Sequence, residues 1–153
     1  MDRPTDPHAV VKRLYELISG PADEGRDWSA VRDLFVPTAL LRSELVLPDG
    51  RRQSGCWTVP AFCEAAAADY RAQGFWEDEI CAQTQRFGQI AHVWSTYESR
   101  VGSPEAEPLG RGINSVQLLE QGGEWRITGL VFQIERGTGG IPEEFLAADR
   151  MAD

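Results

Sequence analysis

The stretch Phe75-Trp-Glu-Asp-Glu-Ile-Cys-Ala-Gln-Thr-Gln-Arg-Phe-Gly-Gln-Ile-Ala-His-Val-Trp-Ser-Thr-Tyr-Glu-Ser-Arg-Val101 carries the clearest structural signal in the chain. More apolar and more polar side chains alternate along it with a period of two, which is typical of β-strands. We therefore predict strands at Phe75–Phe87 and Ile90–Val101. Gly88 and Gln89 between them suit a two-residue hairpin turn, because glycine accepts a positive φ.

The residues that follow repeat this arrangement. Strands are predicted at Arg111–Gln121 and Glu124–Ile134, and the Gly-Gly pair at 122–123 suits a second tight turn. The connection over 102–110 is longer and carries two prolines. The second half of the chain therefore predicts an antiparallel meander of four strands.

The sequence of the first half of the chain predicts mainly helices. Apolar residues at helical spacing predict a first helix over 7–18, and Asp27 and Thr58 are suitable N-caps for a second and a third. A strand at Ala39–Leu47 and a short return strand at Arg51–Trp57 interrupt these helices. The order of elements predicts an α+β fold.

The charge balance limits the classes of partner. The 153 residues include 24 acidic and 15 basic side chains, which gives a formal net charge of -9. Nucleic-acid binding needs clustered Lys and Arg, so no nucleic-acid partner is expected. The chain has no run of about 18 apolar residues and its N-terminus is polar, which predicts no membrane span and no secretory signal. We expect a cytoplasmic protein.

Cysteine and histidine usage fits that expectation. Cys56, Cys63 and Cys81 form no C-x-x-C pair, and His8 and His92 are too few for a usual zinc site. Reduced cysteines that pack as small hydrophobic residues are typical of cytoplasmic proteins. We expect neither a metal nor a cofactor.

Five segments carry a resemblance to a known family. They are Val11-Lys-Arg-Leu-Tyr-Glu-Leu-Ile18, Trp28-Ser-Ala-Val-Arg-Asp-Leu-Phe35, Ile90-Ala-His-Val-Trp-Ser-Thr-Tyr-Glu-Ser-Arg100, Arg111-Gly-Ile-Asn-Ser-Val-Gln-Leu118 and Gly123-Glu-Trp-Arg-Ile127. Together they resemble the nuclear transport factor 2-like superfamily, which includes SnoaL-like cyclases, ketosteroid isomerase and scytalone dehydratase. The segment from Arg111 is similar to a bacterial branch with no assigned activity.

The resemblance implies a cone in which three N-terminal helices pack on a curved, mostly antiparallel sheet around an apolar pocket. It also implies a homodimer that pairs through the outer sheet face, and it places Tyr15 at a pocket-facing position. Enzymes and binding proteins share this fold, so the fold alone does not define the chemistry.

One domain accounts for residues 1–153, since no repeat or linker divides the chain. Its core is expected over about 8–135, with a C-terminal tail at 136–153. Phe145 and Leu146 could anchor a final helical turn of this tail on the pocket mouth or on a partner. The last residues are expected to be disordered.

The tight turn of the first hairpin determines its register, and register determines the face that each side chain takes. Counting back from the turn places Ile80 opposite Tyr97 on the inner face. Glu77 is then expected on the outer face, opposite Arg100. His92 shares this polar outer face, which favours an interface or surface residue over a catalytic base.

The second turn places Val116 opposite Gly129, and Asn114 opposite Val131, with all four on the inner face. A single bulge would reverse part of this assignment. The polar residues expected at the pocket are Tyr15, Ser43, Asp78, Tyr97, Ser99, Asn114 and Gln133. Tyr97 and Asn114 could instead satisfy one another or the backbone.

The chemistry of the related enzymes narrows the alternatives. Alignment with ketosteroid isomerase places Ser43 where that enzyme has its basic Asp, and a serine hydroxyl has no suitable pKa for this role. Glu44 points to the other face of a regular strand. The paired histidines of a scytalone-type dehydratase are also missing. Both of these reactions are therefore disfavoured.

Three functions remain open, and we favour the first, a protein that binds a small apolar molecule in the pocket. The second is a cofactor-free lyase, isomerase or cyclase of the SnoaL-like kind, in which Tyr97, Asp78 and Asn114 polarise a small apolar substrate. The third is a scaffold that binds another protein. A binding protein predicts a roomy cavity, an enzyme predicts Asp78 or Glu44 within reach of Tyr97, and a scaffold predicts a filled cavity.

Overall fold

The three predicted helices are present, and each begins at a capping side chain. A computed structural model describes residues 4–147; the predicted disordered end of the tail, at 148–153, lies outside the described residues. Asp6, Asp27 and Thr58 each accept a hydrogen bond from the backbone N–H three residues further on, which satisfies a donor that the helix leaves free. The helices are α1 (Pro7–Ile18), α2 (Trp28–Asp33) and α3 (Val59–Ala72).

Six strands form one sheet within the described residues, as predicted. They are β1 (Phe35–Val46), β2 (Arg52–Thr58), β3 (Phe75–Phe87), β4 (Ile90–Val101), β5 (Gly110–Gln121) and β6 (Glu124–Ile134). Their order across the sheet is β2-β1-β6-β5-β4-β3, and the pairing of β1 with β6 is parallel. β1 begins at Phe35 rather than Ala39, because irregular pairing between Phe35 and Leu40 accommodates Pro37, which has no N–H to donate.

The helices pack on one face of the sheet, which we call the inner face. Val10 of α1 and Val93, Val116 and Ile127 of the sheet are fully buried in a single apolar cluster between these layers. The core therefore forms where the helical spacing of α1 meets the period-two pattern of β4, β5 and β6.

A β-bulge at Ile80 interrupts the first hairpin. The register follows the prediction from the turn as far as Cys81, which pairs with Thr96. Glu79, however, pairs with Tyr97, so Ile80 is an extra residue without a partner of its own. The predicted pairing of Ile80 with Tyr97 is therefore wrong.

The bulge exchanges the faces of the acidic residues that precede it. Glu77 pairs with Ser99 and shares the inner face, whereas Asp78 pairs with Glu98 on the outer face. Arg100 donates hydrogen bonds to both Asp78 and Glu98, at 2.9 Å in each case. The predictions of an inward Asp78 and of a Glu77–Arg100 pair are therefore wrong.

A second bulge lies in β6. Ile127 pairs with Leu118 and Gly129 pairs with Gln117, so Thr128 is the extra residue. The predicted pairing of Gly129 with Val116 is therefore wrong. From this bulge onward, every side chain of β6 takes the face opposite to the predicted one.

The second bulge turns Leu130 and Phe132 towards the helices. Phe132 pairs with the inward Asn114, while Val131 lies on the outer face with 53% of its surface exposed. Gln133 also lies on the outer face, where its amide donates to the carbonyl of Ile134. The predictions that Val131 and Gln133 face inward are therefore wrong.

The C-terminal segment packs on the outer face of the sheet. A short 3-10 turn at Glu143–Phe145 places the Phe145 ring 5.4 Å from the ring of Trp94, measured between centroids. The side-chain amide of Gln83 donates to the carbonyl of Glu144 at 3.2 Å. The predicted final turn is present, but it covers the outer side of β3 and β4 rather than the mouth of the pocket. No helix among residues 4–147 is long and apolar enough to cross a membrane.

Candidate functional site

A cavity of about 220 Å³ lies between α1, α3 and the inner face of the sheet. Aliphatic and aromatic side chains form most of its wall, and six of the lining residues carry polar groups. Its lining residues are Leu14, Tyr15, Ile18, Leu41, Phe62, Tyr70, Phe75, Glu77, Tyr97, Ser99, Asn114, Leu130 and Phe132. An apolar cavity with a few convergent polar groups is the usual form of a small-molecule site.

Glu77 is the charged residue of this wall, and the bulge at Ile80 brings it there. Loss of solvent around its half-buried carboxylate raises the pKa from the ordinary value of 4.5 to about 7, although the nearby Asn114 amide opposes the shift and the charge of Asp78 adds to it. Glu77 forms no ion pair with any described residue. A carboxyl with a pKa near 7 can exchange a proton in either direction at neutral pH.

A chain of hydrogen bonds runs from the start of α1 to the cavity. Nε2 of His8 lies 2.7 Å from Oε1 of Glu79, whose Oε2 accepts a hydrogen bond from the Ser95 hydroxyl at 2.5 Å. Oγ of Ser95 lies 2.6 Å from the Tyr15 hydroxyl oxygen. The side-chain amide of Asn114 donates to that same oxygen at 3.0 Å. All five polar groups in this chain are therefore paired.

The Glu79 carboxylate determines which group donates and which accepts in this series of hydrogen bonds. An ionised carboxylate only accepts hydrogen bonds, so the Ser95 hydroxyl donates to Glu79 and must accept from Tyr15. The Tyr15 proton therefore points away from the cavity. Burial raises the pKa of Tyr15 well above its ordinary value, which keeps this hydroxyl protonated.

Tyr97 has a different environment, although its ring centroid lies only 6.3 Å from that of Tyr15. The hydroxyl of Tyr97 makes no hydrogen bond with residues 4–147. The ring packs against the bare backbone of Gly112, where an added Cβ would lie 2.4 Å from the hydroxyl oxygen. Burial raises the pKa of Tyr97 above its ordinary value, so it is a neutral hydroxyl that can donate to a ligand.

Ser43 lies beside the cavity without forming part of its wall. It is buried on the same strand face as Leu41, and its hydroxyl has no hydrogen-bond partner among the described residues. The bare Gly55 makes room for both Ser43 and the Trp57 ring, since an added Cβ there would lie 3.0 Å from the serine oxygen.

The seven predicted site residues thus divide into three groups. Tyr15, Tyr97, Ser99 and Asn114 meet at the cavity, Ser43 adjoins it, and Asp78 and Gln133 lie on the other side of the sheet. Whether the four cavity residues bind a ligand remains a prediction. The outward position of His92 agrees with its predicted face: Nε2 lies 2.9 Å from Oγ of Ser115, and burial lowers the histidine pKa.

Four polar residues of the site were not among the predicted site residues: His8, Tyr70, Glu77 and Glu79. A signal for His8 existed, because it precedes Tyr15 by two helical turns and so shares the buried face of α1. No local signal marked the two glutamates. Their inward position depends on the bulge, and Ile80 is a residue that suits a regular strand.

Comparisons with family models and with curated protein sequences gave no match for this chain. Solved structures do share its fold. A protein of unknown function with a cystatin-like fold from Nostoc punctiforme is 11% identical and has a TM-score of 0.65, over 90% of this chain and 97% of that one.

Two further structures show the same likeness. A nuclear transport factor 2-like protein from Novosphingobium aromaticivorans is 15% identical, with a TM-score of 0.63 over 84% of this chain and 79% of that one. A proposed ketosteroid isomerase from Shewanella frigidimarina is 16% identical, with a TM-score of 0.56 over 87% of this chain and 100% of that one. The chain therefore has the nuclear transport factor 2-like, cystatin-like fold, and the resemblance found in its sequence is confirmed at that level.

The two tyrosines give a matched test of the hydrogen-bond chain. We expect Tyr15→Phe to lower the free energy of unfolding by about 1–3 kcal/mol, because it leaves the buried Asn114 amide without its acceptor. Tyr97→Phe should change it by less than about 0.5 kcal/mol, since the lost hydroxyl has no partner. Urea denaturation measures both values. Equal losses of unfolding free energy in the two variants would contradict the assigned series of hydrogen bonds.

The raised pKa of Glu77 gives a second prediction. We expect an NMR titration of labelled glutamate carboxyls to show Glu77 with a midpoint near 7. Because the folded pKa exceeds the unfolded one, stability is lost as pH rises from about 4.5 to 7. Glu77→Gln should therefore be more stable than the native protein at about pH 8 but not at about pH 4. Glu64→Gln, which removes an exposed carboxylate of α3, is the control, and a Glu77 midpoint below about 5 would contradict the assignment.

The titratable groups that surround Glu77 do not include a partner cation on the cavity wall. They come from α1, from α3, from β4 and from its own strand: Lys12, Tyr15, Glu16, Tyr70, Tyr97, Asp78 and Glu79.

Proposed function

We propose that the protein binds a small, largely apolar molecule in the cone cavity. The observation that carries this proposal is the unfilled space of about 220 Å³ enclosed by apolar side chains and polar groups from several elements. An engineered apolar cavity of about 150 Å³ is enough to bind benzene. A scaffold would need no such space, so the open cavity supports binding of a small molecule over a purely structural role.

Three hydroxyls are available to orient such a ligand. Tyr70, Tyr97 and Ser99 all line the cavity, and none of these side chains has a hydrogen-bond partner among residues 4–147. The remaining polar groups of the wall are partly committed, because Tyr15 and Asn114 bond to one another. A ligand with an apolar body and one polar end fits this division.

Filling the cavity tests the proposal. We expect toluene and benzyl alcohol to shift the NMR signals of cavity residues in the native protein, because their rings match the available space. Ser99→Phe should abolish these shifts, since the new ring occupies the cavity. Val131→Phe, which adds a ring on the outer face, is the control and should leave them unchanged. Unaltered binding by Ser99→Phe would contradict the assignment of this cavity.

A second candidate function is acid–base catalysis without a cofactor, as in a lyase, isomerase or cyclase. Glu77 favours it, because this carboxyl lies on the cavity wall beside Tyr97 and has a pKa near 7. Glu77 here replaces Asp78, the inward carboxylate that the sequence predicted to polarise a substrate with Tyr97 and Asn114. Glu77 would remove a proton from carbon while the Tyr97 hydroxyl donates to the developing oxyanion.

Proton removal can be measured directly on a small ketone. If Glu77 is the base, the protein should wash deuterium out of α-deuterated cyclohexanone, and Glu77→Gln should slow this by about 10²-fold or more. Glu64→Gln removes the same charge from the exposed side of α3, outside the cavity, and should retain the rate. Washout that survives Glu77→Gln would exclude this role.

The homodimer through the outer sheet face remains a prediction. The exposed Val131 on that face supports it, while the segment at Glu143–Phe145 already occupies the part over β3 and β4.

A further inference from the structure

The charge of the cavity is unbalanced. Among the residues that the structure describes, its wall carries one carboxylate, that of Glu77, and no Lys, Arg or His. Within residues 4–147 the acidic partners of the ion pairs are other residues, so Glu77 has no counter-ion. A carboxylate that has lost solvent and lacks a cation is an unfavourable arrangement, which a cationic ligand would relieve.

Aromatic rings surround this carboxylate. Six of the lining residues are aromatic: Tyr15, Phe62, Tyr70, Phe75, Tyr97 and Phe132. Tyr70 and Phe75 stack with their centroids 4.5 Å apart. The faces of such rings attract ammonium groups by about 0.5–2 kcal/mol each, more where water is excluded. The wall therefore suits a cation with an apolar body.

The series of hydrogen bonds that ends at Asn114 also favours a cationic ligand. The Tyr15 proton is directed to Ser95, and one Asn114 N–H is directed to Tyr15. With the Glu77 carboxylate and the hydroxyl oxygens of Tyr97 and Ser99, which can also accept, this part of the wall offers a surplus of acceptor atoms. An ammonium group carries three N–H donors and matches that surplus.

The approach to Glu77 is also acidic. An adjoining depression of about 280 Å³ shares Tyr15 and Glu77 with the cavity and carries Glu16, Asp78 and Glu79 against a single ammonium, that of Lys12. The whole chain has a formal net charge of -9. A field of this sign raises the local concentration of cations and repels anions.

We propose that the cavity takes a primary amine on an apolar body of about one ring, with the ammonium bound to Glu77 and faced by the aromatic side chains. This inference rests on the proposed function, the binding of a small apolar molecule in the same cavity. The raised pKa of Glu77 supports it, because a bound ammonium supplies the counter-ion that the protein lacks.

Three probes of nearly equal shape separate charge from fit. Benzylamine, benzyl alcohol and toluene are titrated into the protein at about pH 8, where Glu77 is mostly ionised and the amine is protonated. We expect benzylamine to bind at least about tenfold more tightly than benzyl alcohol, which corresponds to one charge-assisted hydrogen bond. Calorimetry or NMR shifts measure the three affinities.

Two matched variants assign the effect to Glu77. Glu77→Gln removes the charge inside the cavity and should cost benzylamine about tenfold or more, while benzyl alcohol changes by less than about threefold. Glu64→Gln removes the same charge from the exposed side of α3, outside the cavity and the depression, and should leave both affinities unchanged. An equal loss of benzylamine affinity in both variants would overturn the inference, since it would reflect only the net charge.

The probes also separate this inference from the proposed function. If toluene and benzyl alcohol bind and benzylamine has no advantage, the cavity is a binding site but the amine assignment is wrong. If none of the three binds, the proposed function fails together with the inference.

Discussion

The extra residue at Ile80 is the constraint on which the candidate site depends. A regular β3 would carry Asp78 to the inner face and leave Glu77 and Glu79 outside. The bulge reverses these faces, so the longer glutamate side chains enter the protein while Asp78 meets Arg100 on the outside. A single unpaired residue in a strand therefore determines that Glu77 lies on the cavity wall and that Glu79 takes part in the hydrogen bonds behind it.

The two inward glutamates are close in sequence but have opposite surroundings. Glu79 is paired on both oxygens, with His8 on one side and Ser95 on the other, so its charge is used to hold the structure together. For Glu77 only the Asn114 amide favours the charged form, and the pKa of this carboxyl stays raised. One carboxylate thus orders the wall, and the other remains available to whatever enters the cavity.

Most of the architecture was predictable, because local chemistry determines where the strands end. Gly88 and Gly122 take positive φ angles at the two tight turns, as their sequence positions indicated. The bulges left no such mark, since Ile80 and Thr128 are both good strand formers and become unpaired through contacts with distant strands. Candidates on β4 and β5 were therefore placed correctly, and those beyond a bulge were not. His8 could be assigned to a buried helix face, but its partner depended on the unforeseen bulge.

The place of β6 in the sheet has a consequence for how the chain folds. This strand lies between β1 and β5, and its parallel pairing joins Leu40 to Gly129. Contacts so distant in sequence form late, because loop closure costs entropy before they are made. A nascent chain that stops before Glu124 therefore holds two separate groups of strands with open edges, which are prone to aggregation. The wall of the cavity exists only after the last strand has been made.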